Sequence, residues 1–209
     1  MKKVWSIILV VAILILLFPM VSEAGIQLGF RAGVNSAKFI GSDVNWLEEM
    51  EGLTSGKYGL VGGLFLAINL GKSLTIEPEF LYTMKGTNID DPLGEYSGKL
   101  FADYLEIPVL LKLRLSLPIV QPVIFAGPSV GFKLREKLQV DGQDIPLEEK
   151  IFQNNDYGAI FGAGLDFGQH LMIDVRYSLG LKKVFEVAEG YTTPDVKNGV
   201  WSATVGIAF

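Results

Sequence analysis

The sequence contains no cysteine and only one histidine, His170, among its 209 residues. Without cysteine the chain forms no disulfide and offers no thiolate ligand to a metal ion. A single histidine leaves too few nitrogen and sulfur ligands for a zinc site. We therefore expect neither a metal site nor a bound cofactor.

Long apolar segments are also absent beyond the N-terminus. After residue 24 no stretch reaches the ~18 uninterrupted apolar residues of a transmembrane helix. Only helices and closed barrels satisfy all their backbone hydrogen bonds inside lipid. If the remainder of the chain enters a membrane, it must therefore do so as a closed β-barrel.

The N-terminus has the three parts of a secretory signal peptide. Two lysines precede an uncharged run over residues 4–18, and a small-x-small tripeptide, Ser22-Glu23-Ala24, follows it. The alternative is a membrane anchor, because residues 4–21 are almost long enough for a thin span. Strand-like alternation from Ile26 onward favours cleavage after Ala24. The sequence thus predicts a signal peptide at 1–24 and one domain at 25–209, and the lack of a nearby cysteine excludes a lipoprotein anchor.

Positive charge is scarce, which bears on possible partners. Loss of Lys2, Lys3 and Glu23 on cleavage changes the formal net charge from −5 to −6. Nucleic-acid binding depends on basic side chains that neutralise phosphates. We expect no nucleic-acid partner.

What the sequence does contain is a repeated two-residue alternation of apolar and polar residues, which is the period of a β-strand. Between Leu105 and Arg114, large apolar residues occupy one parity, while Glu106, Lys112 and Arg114 occupy the other. The pattern predicts eight strands, with the second and fifth least regular because they are rich in glycine and proline. The predicted bounds are 25–38, 57–69, 73–86, 99–114, 121–133, 154–167, 170–182 and 198–209.

The connections between these strands alternate in length. Those at Gly71-Lys72, Leu117-Pro118 and Gly168-Gln169 are tight, and the other four are longer. This is the up-and-down layout of a transmembrane β-barrel, although a soluble lipocalin-like barrel also has eight strands.

Aromatic residues on the apolar parity favour the membrane barrel. They fall near both ends of the strands, as in the two aromatic girdles at lipid headgroups. The long-loop end has Tyr58, Tyr82, Phe132, Tyr157, Tyr177 and Trp201, and the short-turn end has Phe167 and Phe209. We therefore predict an all-β, eight-stranded antiparallel up-and-down transmembrane β-barrel with its apolar parity facing lipid.

The polar parity then faces the lumen and carries nine charged side chains. They are Arg31, Glu77, Glu79, Glu106, Lys112, Arg114, Asp166, Asp174 and Arg176. An eight-stranded barrel holds little beyond its own side chains, and unpaired buried charges are costly. We expect a structural network of ion pairs and water, with a narrow proton or ion path as the alternative. Acid–base catalysis by the Glu77 and Glu79 pair is rejected, because no substrate reaches such a lumen.

No catalytic residue is predicted. Some outer-membrane hydrolases use a histidine with serine or aspartate at the outer rim. His170 instead lies in a tight turn at the opposite end, and the adjoining strand offers no serine partner.

The long connections are acidic. Over 39–56, 87–98, 134–153 and 183–197 there are fifteen acidic and five basic residues. This composition suits a solvated surface, or one that binds lipopolysaccharide phosphates through divalent cations, or a protein partner. Asp141-Gly142 suits a tight hairpin turn, so that the fifth and sixth strands extend beyond the membrane as a ribbon.

Several segments together resemble PorT-like outer-membrane β-barrels, in the same order along the chain. They are residues 29–35, 76–82, 85–86, 104–112, 126–128, 162–164 and 174–180. The resemblance implies an eight-stranded barrel in the outer membrane of a Gram-negative bacterium, and it suggests a link to protein secretion. It carries no shared set of active-site residues.

Taken together, these features predict an exported, non-enzymatic outer-membrane protein with a closed lumen. Its expected partners are outer-membrane lipid and lipopolysaccharide, and a secretion or envelope protein is a further possible partner. An accessory role in secretion and a small-solute channel are the alternatives.

Overall fold

The computed structural model describes residues 25–44, 55–90, 97–140, 143–145, 152–168, 170–185 and 194–209. The predicted signal peptide at 1–24 and the predicted turn at Asp141-Gly142 lie outside these ranges. No helix within them is long and apolar enough to cross a membrane.

The described residues form nine β-strands, each antiparallel to its neighbours. They are β1 Ile26–Ile40, β2 Ser55–Asn69, β3 Leu74–Asp90, β4 Ser97–Arg114, β5 Val120–Val140, β6 Gln143–Ile145, β7 Asn155–Phe167, β8 Leu171–Gly180 and β9 Lys197–Ala208. Eight of them close into a ring, because β1 pairs with β9 as well as β2, and β5 pairs with both β4 and β7. The predicted eight-stranded antiparallel barrel is confirmed.

The ring strands match the predicted ones, with differences at the long-loop end. β3 continues to Asp90 and β5 to Val140, beyond their predicted ends at 86 and 133. The predicted ribbon consisted of the fifth and sixth barrel strands, and the observed partner of the fifth strand is a different one. β5 pairs there with the short extra strand β6, in register from Val140 opposite Gln143, whereas the sixth barrel strand, β7, begins only at Asn155.

The rim at the long-loop end is therefore uneven. β3, β4 and β5 stay paired up to Asp90 opposite Ser97 and Gly98 opposite Val140. On the other side of the ring, β8 already ends at Gly180. One wall of the barrel stands taller than the opposite wall.

The two faces of the wall have opposite chemistry. Phe30, Val34 and Val175 on the outward face are 57%, 56% and 50% exposed, whereas the inward Arg31 and Arg176 are buried. A continuous exposed apolar belt around a whole molecule is unfavourable in water and favourable in hydrocarbon. The apolar parity thus faces outward, as predicted.

Aromatic side chains lie on the outward face near both ends of the strands. Tyr177 packs against Trp201 with ring centroids 4.9 Å apart at the long-loop end. Phe30 packs against Phe209 at 5.6 Å at the short-turn end. These positions match the predicted girdles at the two headgroup layers.

Glycine permits two of the short turns. Gly71 has φ +90° and Gly168 has φ +65°, values that residues with a Cβ rarely adopt. Both glycines are open to solvent rather than crowded by neighbours, so backbone conformation alone accounts for glycine there.

An arginine placed on the outward face tests whether that face contacts lipid. Val175→Arg is expected to cost about 2–4 kcal/mol in the free energy of unfolding, because the cation then lies near the middle of the bilayer. Leu134→Arg is the matched control, since Leu134 is also exposed but lies at the long-loop end of β5; it is expected to cost about 0–1 kcal/mol. Urea unfolding of the barrel in liposomes measures both values, and equal losses would contradict the placement.

Candidate functional site in the barrel interior

The centre of the lumen is occupied by an ion-pair network built around Arg31 of β1. Its Nη2 lies 2.9 Å from Glu77 Oε1, and its Nε lies 3.0 Å from Glu79 Oε1. Its Nη1 is paired with Asp174 of β8 and lies 3.0 Å from Thr204 Oγ1. One guanidinium therefore connects β1 to strands that are not its neighbours in the ring.

Two further cations complete the network. Arg176 Nη1 lies 2.7 Å from Glu79 Oε2, and its Nε lies 2.9 Å from Asp174 Oδ1. Lys112 Nζ lies 2.7 Å from Glu77 Oε1. The six side chains carry three positive and three negative charges, and all are almost fully buried. Burial of any one of these charges alone would cost several kcal/mol, so the balance is a condition for their presence.

Two inward-facing phenylalanines enclose the network. The Arg31 guanidinium lies 5.1 Å from the centre of the Phe65 ring, and that of Arg176 lies 5.2 Å from the Phe125 ring. Glycines opposite make room for the rings. A Cβ on Gly29 would approach Phe65 Cζ to 2.2 Å, and one on Gly162 would approach Phe125 Cζ to 2.6 Å. The aromatic faces add cation–π attraction to the two central arginines.

A second polar cluster lies nearer the long loops. Lys85 Nζ lies 2.9 Å from Glu106 Oε1 and 3.2 Å from Asp156 Oδ2. Asn198 Nδ2 also donates a hydrogen bond to Asp156, at 2.9 Å. The predicted set contained Glu106 but neither Lys85 nor Asp156. The two-residue alternation could have identified Lys85, because it lies on the same inward-facing parity of β3 as Glu77 and Glu79.

The remaining predicted pair lies apart from both clusters. Arg114 Nε lies 2.9 Å from Asp166 Oδ2 at the short-turn end. The pair lines an open cavity of about 520 Å³, together with Gln27, Asn69 and Gln121. Met172, which also lines the cavity, belongs to a buried apolar cluster with Phe65, Ala67 and Ala208. The nine predicted lumen charges therefore belong to three levels of the lumen rather than to one network.

A buried apolar cluster, the plug, lies at the long-loop end of the lumen, and the sequence did not predict it. Its core consists of Phe39, Val44, Leu100, Ala102, Tyr104, Phe152, Val184 and Val196. Phe185 packs on Phe39 and Phe152 with ring centroids 5.5 and 6.0 Å away. Backbone hydrogen bonds from Gln153 N to Val184 O and from Val184 N to Val196 O, both 2.8 Å, connect these segments. Parts of the long connections, predicted as solvated surface, thus pack inward.

Polar contacts hold the rim beside the plug. Asp195 N donates a hydrogen bond to Asp43 Oδ2 at 2.6 Å, and Ser42 Oγ donates one to Asp195 Oδ2 at 3.3 Å. The pKa of Asp195 lies below its usual value, chiefly because Lys197 donates a hydrogen bond to its carboxylate. The segments after β1 and before β9 are therefore joined on the side of the low wall.

Neither His170 nor the Glu77 and Glu79 pair is arranged for catalysis. His170 Nδ1 contacts the backbone oxygen of Ala208 at 3.0 Å, at the short-turn end. Glu77 and Glu79 are engaged by Arg31, Lys112 and Arg176. No cluster of three or more metal-binding side chains occurs in the described ranges.

Comparison with known proteins agrees with the fold. A family model described as "Outer membrane protein beta-barrel domain" matches residues 20–186. Neisserial surface protein A of Neisseria is 18% identical, with 88% of this chain and 99% of that chain covered and a TM-score of 0.50. Ail of Yersinia pestis is 16% identical, with 88% and 99% covered and a TM-score of 0.45. OprG of Pseudomonas aeruginosa is 10% identical, with 90% and 98% covered and a TM-score of 0.47. No curated protein matches this chain.

Removal of one central cation tests whether the network depends on charge balance. Arg176→Leu leaves Glu79 and Asp174 short of a partner and is expected to cost about 3–5 kcal/mol in the free energy of unfolding. Arg114→Leu is the control, because its pair with Asp166 borders the open cavity, where water can hydrate the remaining acid, and it is expected to cost less. Urea unfolding monitored by tryptophan fluorescence compares the variants. Equal losses in the free energy of unfolding would mean that the central charges are as hydrated as the Arg114–Asp166 pair at the short-turn end.

Proposed function

We propose a non-enzymatic role for this chain, which belongs to the outer membrane protein beta-barrel domain family and is an integral protein of the outer membrane. In this proposal the barrel is a closed anchor. Its outward surface serves envelope integrity or the docking of a partner.

The observation that carries the proposal is the presence of two barriers in series along the lumen. The central ion-pair network and its phenylalanines fill the middle of the barrel, and the apolar plug covers the long-loop end. An ion crossing this path must displace paired charges and then cross an apolar layer, and both steps are unfavourable. This arrangement supports a closed lumen rather than a small-solute channel.

The tall wall supports a role for the outward surface. β3, β4 and β5 extend beyond the aromatic girdle, and β6 adds a short strand there with Ile145 41% exposed. The long connections carry the acidic excess of the chain. An acidic surface of this kind favours partners with basic groups, or divalent cations bridging to lipopolysaccharide phosphates.

An accessory role in protein export is the second candidate. It is supported by the resemblance to PorT-like barrels, whose shared segments fall on the ring strands β1, β3, β4, β5, β7 and β8. Such a role requires a periplasmic or outer-membrane component of an export system as partner. A tight complex with export components would favour this candidate over envelope integrity.

Electrical recording tests the closed lumen directly. Purified protein in planar bilayers is expected to give only leak current, because both barriers block the path. A 16-stranded porin inserted in the same bilayers is the positive control, since barrels of that size leave an aqueous channel. Reproducible unitary steps from this protein would contradict the proposal and favour the channel.

Site-specific cross-linking tests the docking surface. A photoreactive residue at Ile145 is expected to trap a discrete protein partner in intact cells, because this position is exposed on the tall wall. The same residue at Val175, which faces lipid, is the matched control and should trap no protein. Identification of the adduct distinguishes export components from envelope proteins, and absence of any adduct at Ile145 would argue against docking there.

A further inference from the structure

A charged cluster lies on the outward face of the barrel, where the alternation predicts apolar residues. Asp103 of β4 shares the outward parity of Leu105, Ile107 and Val109, yet its side chain is completely buried. Tyr82 Oη donates a hydrogen bond to Asp103 Oδ2 at 2.5 Å, and Arg135 Nε is paired with the same oxygen. Arg135 Nη2 also donates to Tyr82 Oη, at 3.2 Å.

A β-bulge places Arg135 on this face. Tyr104 lies opposite Lys133 in the β4–β5 register, whereas Asp103 lies opposite Arg135, so that Leu134 is an extra residue in β5. A bulge of this kind reverses the parity of the strand beyond it and redirects its side chains. Arg135 consequently points outward beside Asp103, and its side chain is 55% exposed.

The cluster lies at the height of lipid headgroups on the long-loop side. Leu105 lies opposite Tyr82 on one side and Phe132 on the other, and both aromatics belong to the girdle. Asp103 is two residues further towards the long loops, or about 7 Å along the strand. Aromatic girdles mark the boundary of the hydrocarbon, so Arg135 projects into the headgroup layer of the outer leaflet.

Further cations lie near the same rim. Lys57 Nζ lies 3.3 Å from the centre of the Phe101 ring, and Lys137 lies opposite Phe101 in the β4–β5 register. Lys182 Nζ lies 5.7 Å from the ring of Tyr157, another girdle residue. Basic side chains therefore collect beside the lipid, although the long connections are strongly acidic as a whole.

We infer that the outward face of β3–β5 binds the phosphate groups of an outer-leaflet glycolipid, with Arg135 as the principal contact. Asp103 and Tyr82 act as positioning residues, because they hold the Nε and Nη2 of a guanidinium whose side chain is 55% exposed. This site is on the barrel wall, so it goes beyond the proposed function of the loops and requires only the outer-membrane location.

The spacing of the cations favours a glycolipid with more than one phosphate over a phospholipid with one. Arg135 and Lys137 are two residues apart on one strand, about 7 Å. Two cations at this spacing match more than one anionic group on a single broad headgroup. Arginine also suits phosphate because its planar nitrogens form paired hydrogen bonds.

Native mass spectrometry of the folded barrel with defined lipids tests the site. The probes are a bisphosphorylated lipid A, the same lipid without its phosphates, and phosphatidylglycerol. Wild-type protein is expected to retain the bisphosphorylated lipid most strongly. Lys137→Gln should weaken its retention about fivefold, as expected for loss of one cation beside an anionic surface. Lys72→Gln is the matched control, because this exposed lysine lies in a short turn at the opposite end, and it should have no effect.

The role of Arg135 is tested in a double variant, so that Asp103 is not left as a buried carboxylate without its partner. The double variant Asp103→Asn/Arg135→Gln removes both charges of the pair and should weaken retention about fivefold or more, with the folded band still present on an unheated detergent gel. Asp103→Asn alone keeps the arginine and should weaken retention less. The site would be overturned if the double variant retained the bisphosphorylated lipid as strongly as the wild type does. It would also be overturned if the wild type retained the lipid without phosphates as strongly as the bisphosphorylated one. Preference for phosphatidylglycerol would overturn the choice of glycolipid. None of these results depends on whether the lumen conducts.

Discussion

The pairing of buried charges across the lumen is the constraint on which the rest of the barrel depends. Arg31 of β1 reaches carboxylates on β3 and β8, and Lys112 of β4 and Arg176 of β8 share those carboxylates. The contacts connect strands from opposite walls, which the backbone hydrogen bonds between neighbours do not. They therefore hold opposite walls of the cylinder together, and the outward face below the aromatic girdle can be apolar because these charges are satisfied inside.

Around this centre the interior is layered. An open polar cavity at the short-turn end gives way to the central network, then to the Lys85 cluster, and finally to the apolar plug. The layers differ in physical character, with paired charges in the middle and apolar packing at the end. This layering supports the proposal that the protein acts through the surfaces it presents to lipid and to the outside rather than through a passage.

Much of this architecture follows from local sequence pattern, and the rest depends on contacts between distant parts of the chain. Alternation predicts the ring strands because the two faces of each strand meet different media, and it identifies Arg31, Glu77 and Asp174 as inward. It does not identify Phe65 and Phe125, because they interrupt the polar parity in the glycine- and proline-rich β2 and β5. The plug was missed for a related reason: Phe39, Phe152 and Phe185 become neighbours only when the barrel closes. The bulge at Leu134 likewise has no signal in the period-2 pattern.

The unequal height of the rim gives the molecule a direction within the plane of the membrane. A simple cylinder would look the same to neighbours on every side, but here β3–β5 rise past Gly180 at the end of β8. On one side of the barrel the strands β3–β5 extend as a sheet beyond the girdle, and on the other side the strands end lower, beside the plug. The surface offered to a neighbouring protein therefore depends on the rotation of the barrel about its axis. Molecules packed side by side would make different contacts through the β3–β5 side and through the side where β8 ends.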